Sequence, residues 1–351
     1  MCNIAGYNGT KNAAPILLEM LRRQEPYDGG MSTGVATIHQ GKLHYRKIVG
    51  DVETLIRETD VLSLPGTIGI AHTRPSGTKG TLPMHPNFNM EETIALVTNG
   101  TTPKNPYEDR WNEAVNILAE NGYVFKQKSV PTKKKAPITA HDGMLVAPPE
   151  ARVFLVDYYI KQGKSPEEAL ALSCAHMYSD NVAVMIGESF PDRICLARST
   201  RPMVAKTAED GTYIATCRFA FPPELANLDG EDLPLQNSIS VYRNGFFVHR
   251  EKMDAEPVCP ITPKVFREAM NRMEALLLQS RENPLYFDEL EFFVRDHLAD
   301  CWKEPHTFTQ HARVVYDVLW QLEEEGRLKK VLRMQDRKTG LRPRYYFWLE
   351  A

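Results

Sequence analysis

Two spacings of apolar residues recur along the first part of the chain. Alternating or continuously apolar stretches at Cys2–Tyr7 and Gly66–His72 predict short buried strands, whereas Ala14–Arg23 spaces its apolar residues at helical intervals. Thr33–His39 and Lys42–Val49 alternate on either side of Gln40-Gly41, which predicts a β-hairpin. The pattern therefore indicates strands that alternate with helices packed on one face.

The same two spacings continue up to about residue 250. Further helices are predicted at Asp51–Glu58, Tyr107–Asn121 and Glu150–Gly163, and Ser165 with Glu168 forms the capping-box pattern of another. Short strands are predicted at Glu92–Val97, Asn181–Gly187, Arg193–Ala197, Thr212–Cys217 and Ile239–Val248. Clusters of strands separated by helices favour an α+β architecture.

The pattern changes near Met253–Pro257, where we predict a boundary between domains spanning 1–252 and 258–351. Three helical patterns follow at Pro263–Gln279, Tyr286–Asp300 and Thr307–Glu325. Two strands, Leu328–Met334 and Arg344–Leu349, then flank a turn. Three helices followed by a hairpin are typical of a small winged-helix-like domain.

Composition narrows the class of protein. The 351 residues are 42% hydrophobic and 25% charged with a net charge of -3, which is typical of a globular protein without an overall attraction to nucleic acid or membranes. The chain has neither a signal-peptide pattern nor an apolar run long enough to span a bilayer, so we expect a cytoplasmic protein without a membrane partner. Six scattered cysteines form no CxxC pair, and we expect no metal site and no cofactor.

Basic residues crowd the predicted C-terminal hairpin. They could contact DNA phosphates, or they could form the solvated surface of a scaffold or dimerisation domain, which we favour. The last predicted helix ends in Glu323-Glu324-Glu325, whose charges would repel phosphates. The basic residues are Arg327, Lys329, Lys330, Arg333, Arg337, Lys338, Arg342 and Arg344.

Cys2 is the first candidate for chemistry. Removal of Met1 would make it the first residue, so that one residue would carry both a thiol and an α-amine. The reference pKa of the amine is about 8 and that of the thiol about 8.5, so the neutral amine can take the thiol's proton near neutral pH. An incidental cysteine after the initiator methionine is the alternative.

A thiol that attacks an amide needs donors for the oxyanion and charges that hold the substrate. Asn99-Gly100, at the end of a predicted strand, could supply the donors, Arg74 could bind a carboxylate, and Asp142 could bind an ammonium group. Each also has a structural explanation, because Asn-Gly is a turn dipeptide, an arginine after a strand often forms a surface ion pair, and Asp before Gly often lies in a turn.

Together and in this order, these motifs resemble the class II glutamine amidotransferases, the N-terminal-nucleophile family, and within it the glutaminase domain of glucosamine-fructose-6-phosphate aminotransferases. The resemblance covers roughly residues 2 to 220. Its motifs are Cys2-Asn3-Ile4-Ala5-Gly6, Leu17–Arg23 with Tyr27-Asp28-Gly29, Gly69–Arg74, His85-Pro86, Thr98-Asn99-Gly100, Asn121-Gly122-Tyr123, Lys161-Gln162-Gly163 and Leu196–Pro202.

The resemblance implies a four-layer αββα sandwich and a role for each matched position. Cys2 would be the nucleophile, Asn99 and Gly100 the oxyanion hole, and Arg74 the group that binds the glutamine α-carboxylate. Thr73 and His85 belong to shared motifs and are expected on the substrate side, and Asp142 is expected to bind the amine. Glutamine would be hydrolysed through a γ-glutamyl thioester with release of ammonia.

The chain departs from the family at three places. Pro75–Gly80 replaces the family's Trp-Ala-Thr-His-Gly loop, and Thr98 replaces a histidine. The lysine-rich segment 126–137 stands where the family has its amine-binding aspartate, so Asp142 is assigned by assuming an insertion. We therefore expect the substrate to be glutamine or a related small amide.

The C-terminal part contains no phosphate-cradling loop, phosphoribosyl motif or pyrophosphatase motif of the family's synthases. We therefore expect that the ammonia acceptor, if there is one, belongs to a partner synthase or acceptor subunit. The alternative is a regulatory or sensor protein, in which a glutaminase-like domain binds an amide and the C-terminal domain contacts DNA or protein. Assembly into a homo-oligomer stays open.

Overall fold

The computed structural model describes residues 1–75, 85–100, 108–130, 143–255, 258–298, 310–337 and 340–350. Within them, the first part of the chain contains two large antiparallel sheets that pack face to face. The first sheet has the order β13-β11-β12-β1-β4-β2-β3. Its strands are β1 Asn3–Gly9, β2 Ser32–His39, β3 Lys42–Ile48, β4 Ile68–Arg74, β11 Val204–Ala208, β12 Gly211–Ala215 and β13 Glu231–Asp232.

The second sheet has the order β15-β14-β10-β9-β6-β5. A separate two-stranded pair joins β7 Lys128–Ser129 to β8 Leu145–Val146. The six strands of the second sheet are β5 Asn87–Phe88, β6 Ile94–Asn99, β9 Val182–Gly187, β10 Arg193–Arg198, β14 Ser238–Arg243 and β15 Phe246–Lys252.

Helices cover the outer face of each sheet. Helices α1 and α2 share a buried cluster with the first sheet, and α3, α4 and α5 share another with the second. A further short helix, α6, follows β12. The described helices of this part are α1 Ala13–Gln24, α2 Val52–Glu58, α3 Glu108–Glu120, α4 Pro148–Lys161, α5 Pro166–His176 and α6 Pro223–Ala226.

Strand alternation explains why the layers stack. In β1, Ile4 points into the cluster between the sheets, whereas Ala5 and Tyr7 face the helices. In β4, Ile70 and Ala71 divide in the same way. The layers are therefore helices, sheet, sheet and helices, as the sequence predicts.

Local sequence signals account for the start of α5 and for the turn between β14 and β15. Ser165 accepts a hydrogen bond from the Glu168 N–H, and the Glu168 carboxylate accepts one from the Ser165 N–H, so the predicted capping box is confirmed. The prediction of one strand at Ile239–Val248 is wrong, because β14 and β15 form a hairpin there. Asn244-Gly245 makes the turn with φ values of 51° and 83°, a conformation for which Asn-Gly is well suited.

The C-terminal part contains three helices and a three-stranded antiparallel sheet of order β16-β18-β17. The predicted helix–helix–helix–hairpin order is thus present, with a short strand added before the second helix. The elements are α7 Pro263–Gln279, β16 Leu285–Tyr286, α8 Phe287–His297, α9 His311–Glu324, β17 Leu328–Arg337 and β18 Gly340–Leu349.

The C-terminal part packs directly against the N-terminal part. Tyr27 and Phe219 belong to the same buried cluster as the faces of α7, α8 and α9. The Tyr345 N–H donates to the Pro26 carbonyl at 2.7 Å, and the Tyr316 hydroxyl donates to Asn3 Oδ1 at 3.2 Å. The residues next to the start of β1 are therefore covered by the C-terminal part.

The basic hairpin is not the uniformly solvated surface that we predicted. Arg342 and Arg344 are fully buried, and both pair with Asp28 of the N-terminal part. Arginines that point inward and satisfy a buried carboxylate cannot reach DNA phosphates. Neither can serve as the DNA contact that the alternative hypothesis assigns to this hairpin.

In the part of the chain that the structure describes, no helix combines the length and the apolar character that crossing a bilayer requires.

Candidate active site

Cys2 lies at the junction of the two sheets. It precedes β1, whose Asn3 is opposite Thr73 of β4, so the chain places Arg74 at the neighbouring strand end. The Cys2 N–H donates to Asn99 Oδ1 at 3.4 Å, and Asn99 Nδ2 donates to the Cys2 carbonyl at 2.8 Å. The structure thus brings together Cys2 and Asn99, which are 97 positions apart in the sequence.

Asn99 and Gly100 end β6 in a tightly constrained conformation. Asn99 is buried, and Gly100 has a φ of +80°. A Cβ atom at position 100 would lie 2.3 Å from the Asp180 carbonyl oxygen and 3.0 Å from the Arg201 side chain. Both the backbone conformation and the available space therefore require glycine here.

Gly100→Ala is expected to destabilise the protein by more than the roughly 1–3 kcal/mol of a strained backbone, because the clash with Asp180 adds to it. Urea unfolding measures the change. Gly163→Ala is the matched control, since Gly163 has a φ of +86° but a Cβ atom added there would meet no other group within 4 Å. Equal losses of stability in the two variants would contradict the role of the contact.

Thr73 is buried behind the strand end instead of being exposed to a substrate. Its hydroxyl donates to Glu25 Oε1 at 2.9 Å and accepts from the Gly30 N–H at 2.9 Å. Glu25 Oε1 also accepts from Thr33 Oγ1 and from the Val52 N–H. Burial raises the pKa of Glu25 to about 8, against hydrogen bonds that act to lower it. The substrate-binding role of Thr73 stays a prediction.

Because the pKa of Glu25 is higher in the folded than in the unfolded protein, its contribution to stability is present below about pH 4.5 and is lost as the pH rises through about 8. Glu25→Gln keeps an oxygen acceptor and removes the titration. Its unfolding free energy is expected to fall less between pH 5 and pH 8 than that of the wild type, by on the order of 1 kcal/mol per pH unit. Melting curves at both pH values test this, with the exposed Glu53→Gln as control; parallel pH profiles for Glu25→Gln and the wild type would contradict it.

The other predicted substrate-binding residues differ in their surroundings. Arg74 ends β4 and is partly exposed. His85 is buried, its ring lies against His72 with centroids 4.1 Å apart, and its Nδ1 is 3.0 Å from Asn87 Nδ2. Burial and the nearby Arg74 cation lower the pKa of His85 to about 3, so its ring is neutral. Asp142 lies outside the described residues.

An ion-pair network that the sequence patterns did not predict surrounds Met1. The Met1 amino group contacts the buried carboxylate of Asp28 and lies 3.8 Å from Asp288 Oδ1 in α8. Arg344 Nη2 lies 2.7 Å from Asp28 Oδ1 and 2.9 Å from Asp288 Oδ2. Arg342 Nη1 lies 3.3 Å from Asp28 and 2.5 Å from the Pro75 carbonyl. The C-terminal part therefore contributes charged groups beside the candidate nucleophile.

Arg201 adds a second branch of this network. It lies 2.6 Å from Asp180 and 3.2 Å from Glu291, and its Nη1 approaches the Met1 sulfur at 3.6 Å. Burial acts to raise the pKa of Glu291, but His311, the Met1 ammonium and Arg201 lower it to about 2. Arg201 falls at an unmatched position between Ser199 and Pro202 of the Leu196–Pro202 motif, so its neighbourhood to matched residues is the one sequence signal that could have found it.

Cys2 differs from the other cysteines that the structure describes. Cys174, Cys195, Cys217 and Cys259 are buried, whereas Cys2 is partly exposed. Burial raises the pKa of the Cys217 thiol to about 12, which makes it a poor nucleophile. Among the described side chains, no group of three or more His, Cys, Asp and Glu residues could hold a metal ion.

Comparison with known proteins shows which proteins have similar sequences and folds. The chain is similar to glutamine–fructose-6-phosphate aminotransferases from Clostridium perfringens (30% identical over 218 residues, 62% of this chain and 31% of that protein) and Pyrococcus horikoshii (26% over 218 residues, 62% and 32%). The similarity to the enzyme of Bartonella henselae extends over 299 residues at 26% identity, 84% of this chain and 42% of that protein. The chain is therefore similar to class II glutamine amidotransferases.

Solved structures support the fold of this amidotransferase-like chain. Glutamine phosphoribosylpyrophosphate amidotransferase from B. subtilis superimposes with a TM-score of 0.57 at 14% identity, covering 78% of this chain and 58% of that one. A structure described as the allosteric regulatory enzyme of purine biosynthesis superimposes with a TM-score of 0.58 at 13% identity, covering 96% and 67%. The resemblance predicted from the motifs is confirmed, and the relatives given above are enzymes.

The similarity covers only part of each curated relative. The chain spans 31–42% of the length of the three relatives given above. No protein-family model matches the chain.

Proposed function

We propose that this protein is a glutamine amidotransferase-type amidohydrolase in which Cys2, freed by removal of Met1, attacks the side-chain amide of glutamine. The observation that supports this most strongly is the pairing of Cys2 with Asn99 beside Arg74. These three positions carry the nucleophile, an oxyanion donor and a carboxylate-binding cation. No other described cysteine is exposed next to such groups.

The reaction proceeds in two steps. The Cys2 α-amine takes the thiol proton, and the thiolate adds to the amide carbon, so that the carbonyl oxygen becomes an oxyanion that accepts hydrogen bonds from Asn99 Nδ2 and the Gly100 N–H. Collapse breaks the carbon–nitrogen bond, and the protonated amine returns its proton to the departing ammonia. Water then hydrolyses the γ-glutamyl thioester to glutamate, with the same amine as base.

Asn99 is positioned for two parts of this sequence. Its Oδ1 already accepts from the Cys2 nitrogen, which becomes the free α-amine after processing. A carbonyl acceptor orients that amine toward the thiol and leaves its lone pair for the proton. Asn99 Nδ2 now donates to the Cys2 carbonyl, so it must also reach the oxyanion during the reaction.

The released ammonia needs an acceptor. We propose a partner synthase or acceptor subunit for this role; residues 258–351 themselves contain none of the family's phosphate-binding motifs. In this proposal the C-terminal winged-helix-like part covers the N-terminus instead of modifying an acceptor. The contacts of Tyr316 with Asn3 and of Arg344 with Asp28 favour that role. A cytoplasmic location remains part of the proposal.

The structure gives little support to the alternative, a regulatory protein that contacts DNA through its C-terminal hairpin. It relies on the basic hairpin, yet Arg342 and Arg344 are buried in ion pairs. Of the remaining basic residues of the hairpin region, Arg327 pairs with Glu274 and Glu325, and Lys330 pairs with Glu323.

Ammonia and glutamate release from L-glutamine tests the proposal. The full-length chain beginning at Cys2 is compared with the same chain carrying a leader on the Cys2 nitrogen that a site-specific protease can remove. We expect equimolar ammonia and glutamate only after cleavage, because an amide nitrogen cannot accept the thiol proton. Equal release before and after cleavage, or none after it, would refute the proposal.

A further inference from the structure

The C-terminal part covers the N-terminus and also places charged groups next to Cys2. We propose that Asp28 of the N-terminal part and Asp288 of α8 form an ammonium-binding subsite that holds the α-ammonium group of the amino-acid substrate once Met1 has left. The inference rests on the proposed function for the identity of the substrate. It assigns the amine-binding role to a subsite that both parts of the chain build.

An ammonium group already occupies this place. The Met1 amino group is fully buried, contacts Asp28 Oδ2 and lies 3.8 Å from Asp288 Oδ1. Apart from this contact with the Met1 amino group, Asp28 Oδ2 has no hydrogen-bond partner among the described residues. The oxygen that faces Met1 therefore becomes an unsatisfied buried acceptor when Met1 leaves, and a second ammonium group would restore its partner.

The number of covalent bonds between Cys2 Sγ and the Met1 nitrogen is close to the number that a bound glutamine would span. About six covalent bonds separate the Met1 nitrogen from Cys2 Sγ, and about five separate the α-nitrogen of glutamine from a sulfur bonded to its side-chain carbon. A γ-glutamyl group on Cys2 can therefore place its ammonium group where that of Met1 now lies. The Met1 sulfur lies 3.6 Å from Arg201 Nη1, so departure of Met1 also frees the space beside Arg201.

The surrounding charges favour a zwitterion. The network around the Met1 amino group holds four carboxylates and three guanidinium groups, so departure of the Met1 ammonium group leaves one negative charge in excess at this place. An amino acid supplies an ammonium group here and brings its own carboxylate, which Arg74 is placed to bind. The groups are Asp28, Asp180, Asp288, Glu291, Arg201, Arg342 and Arg344.

Arg342 and Arg344 act as positioning residues. Arg344 bridges Asp28 Oδ1 and Asp288 Oδ2, and Arg342 holds Asp28 Oδ1 from the other side. Both arginines contact Oδ1 and leave Oδ2 toward Met1. The bridge therefore fixes the two aspartates with one oxygen of each directed at the ammonium position.

Calorimetric titration of the full-length chain with Cys2→Ala, beginning at residue 2, tests the subsite without turnover. The probes are L-glutamine, 5-amino-5-oxopentanoic acid, which lacks only the α-amine, and ammonium chloride. We expect L-glutamine to bind at least about tenfold more tightly than the desamino compound, because a charge-assisted contact with two carboxylates is lost in the latter. Adding Asp288→Asn should remove most of that preference and leave the affinity for the desamino compound unchanged.

Two controls keep the result specific. Asp296→Asn, also in α8 but exposed and paired with Arg295, should retain the preference. If Asp288→Asn fails to fold, Asp288→Glu keeps the charge one methylene away, and it should weaken glutamine binding but not binding of the desamino compound. A preference that persists in Asp288→Asn or Asp288→Glu would overturn the inference.

The remaining outcomes are equally decisive. Equal affinity for L-glutamine and the desamino compound, or binding of ammonium chloride alone, would overturn assignment of the subsite to a substrate amine. Because Cys2→Ala cannot form the thioester, a preference that depends on Asp288 would support the subsite even if the wild type released no ammonia. Failure of hydrolysis and failure of the subsite are therefore distinguishable.

Discussion

Replacement of Cys2 by alanine is expected to lower glutamine-dependent ammonia release by about a thousandfold or more, because it removes the nucleophile and leaves only the binding and oxyanion contacts. Alanine is small, so removal of Met1 should proceed as in the wild type. The Asn99 contacts use backbone atoms of residue 2 and should also persist. The expected change is therefore in turnover, with little change in stability.

A coupled assay of ammonia at saturating glutamine measures this effect. Cys259→Ala is the control, since Cys259 is a buried thiol in the core of the C-terminal part and has no role in the proposed chemistry. We expect its activity per folded molecule to match that of the wild type. Substantial release by Cys2→Ala, or an equal loss in Cys259→Ala, would show that another group attacks the amide.

Arg344→Ala is expected to lower the free energy of unfolding by about 3–5 kcal/mol, because the negative charge of the fully buried Asp28 carboxylate loses one of its cationic partners. The same substitution removes the bridge to Asp288 and the hydrogen bond to the Tyr27 carbonyl at 2.8 Å. Arg342, at 3.3 Å from Asp28, would remain as a partial partner. The network thus makes the stability of the N-terminal part depend on the last strand of the chain.

Urea unfolding of the full-length protein measures the loss. Arg333→Ala is the matched control, because Arg333 lies opposite Arg344 in the same hairpin but is exposed, with its guanidinium over Tyr346. A surface substitution of this kind should change the unfolding free energy by no more than about 0.5 kcal/mol. Similar losses in the two variants would mean that the buried network is not what stabilises the contact between the parts.

Local patterns were sufficient for most of the elements. The helix at Pro263–Gln279 is found with its predicted bounds, and the hairpin flanking Gln40-Gly41 is present as β2 and β3. These elements have strong periodicity together with an N-cap or turn signal, so local sequence decides them. The hairpin at residues 238–252 was missed because its apolar run continues into exposed residues, although Asn244-Gly245 carried the turn signal.

Long-range charge pairing could not be predicted from such patterns. Asp28 and Arg342 are 314 positions apart, and nothing near either residue indicates the other. Arg342 and Arg344 follow several other basic residues in the sequence, so composition alone made them resemble solvated surface. In contrast, Cys2, Arg74 and Asn99 were identified by the order of the motifs, and their proximity follows from strand pairing and from the contact between Cys2 and Asn99.

The mass of the N-terminal peptide after brief mixing with L-glutamine and acid quenching shows whether Cys2 is the nucleophile. We expect a peptide that begins at Cys2 and carries one γ-glutamyl group on its thiol, and the same peptide without that group when glutamine is omitted. A γ-glutamyl group on another residue, or ammonia release by protein whose N-terminal peptide still begins at Met1, would contradict it.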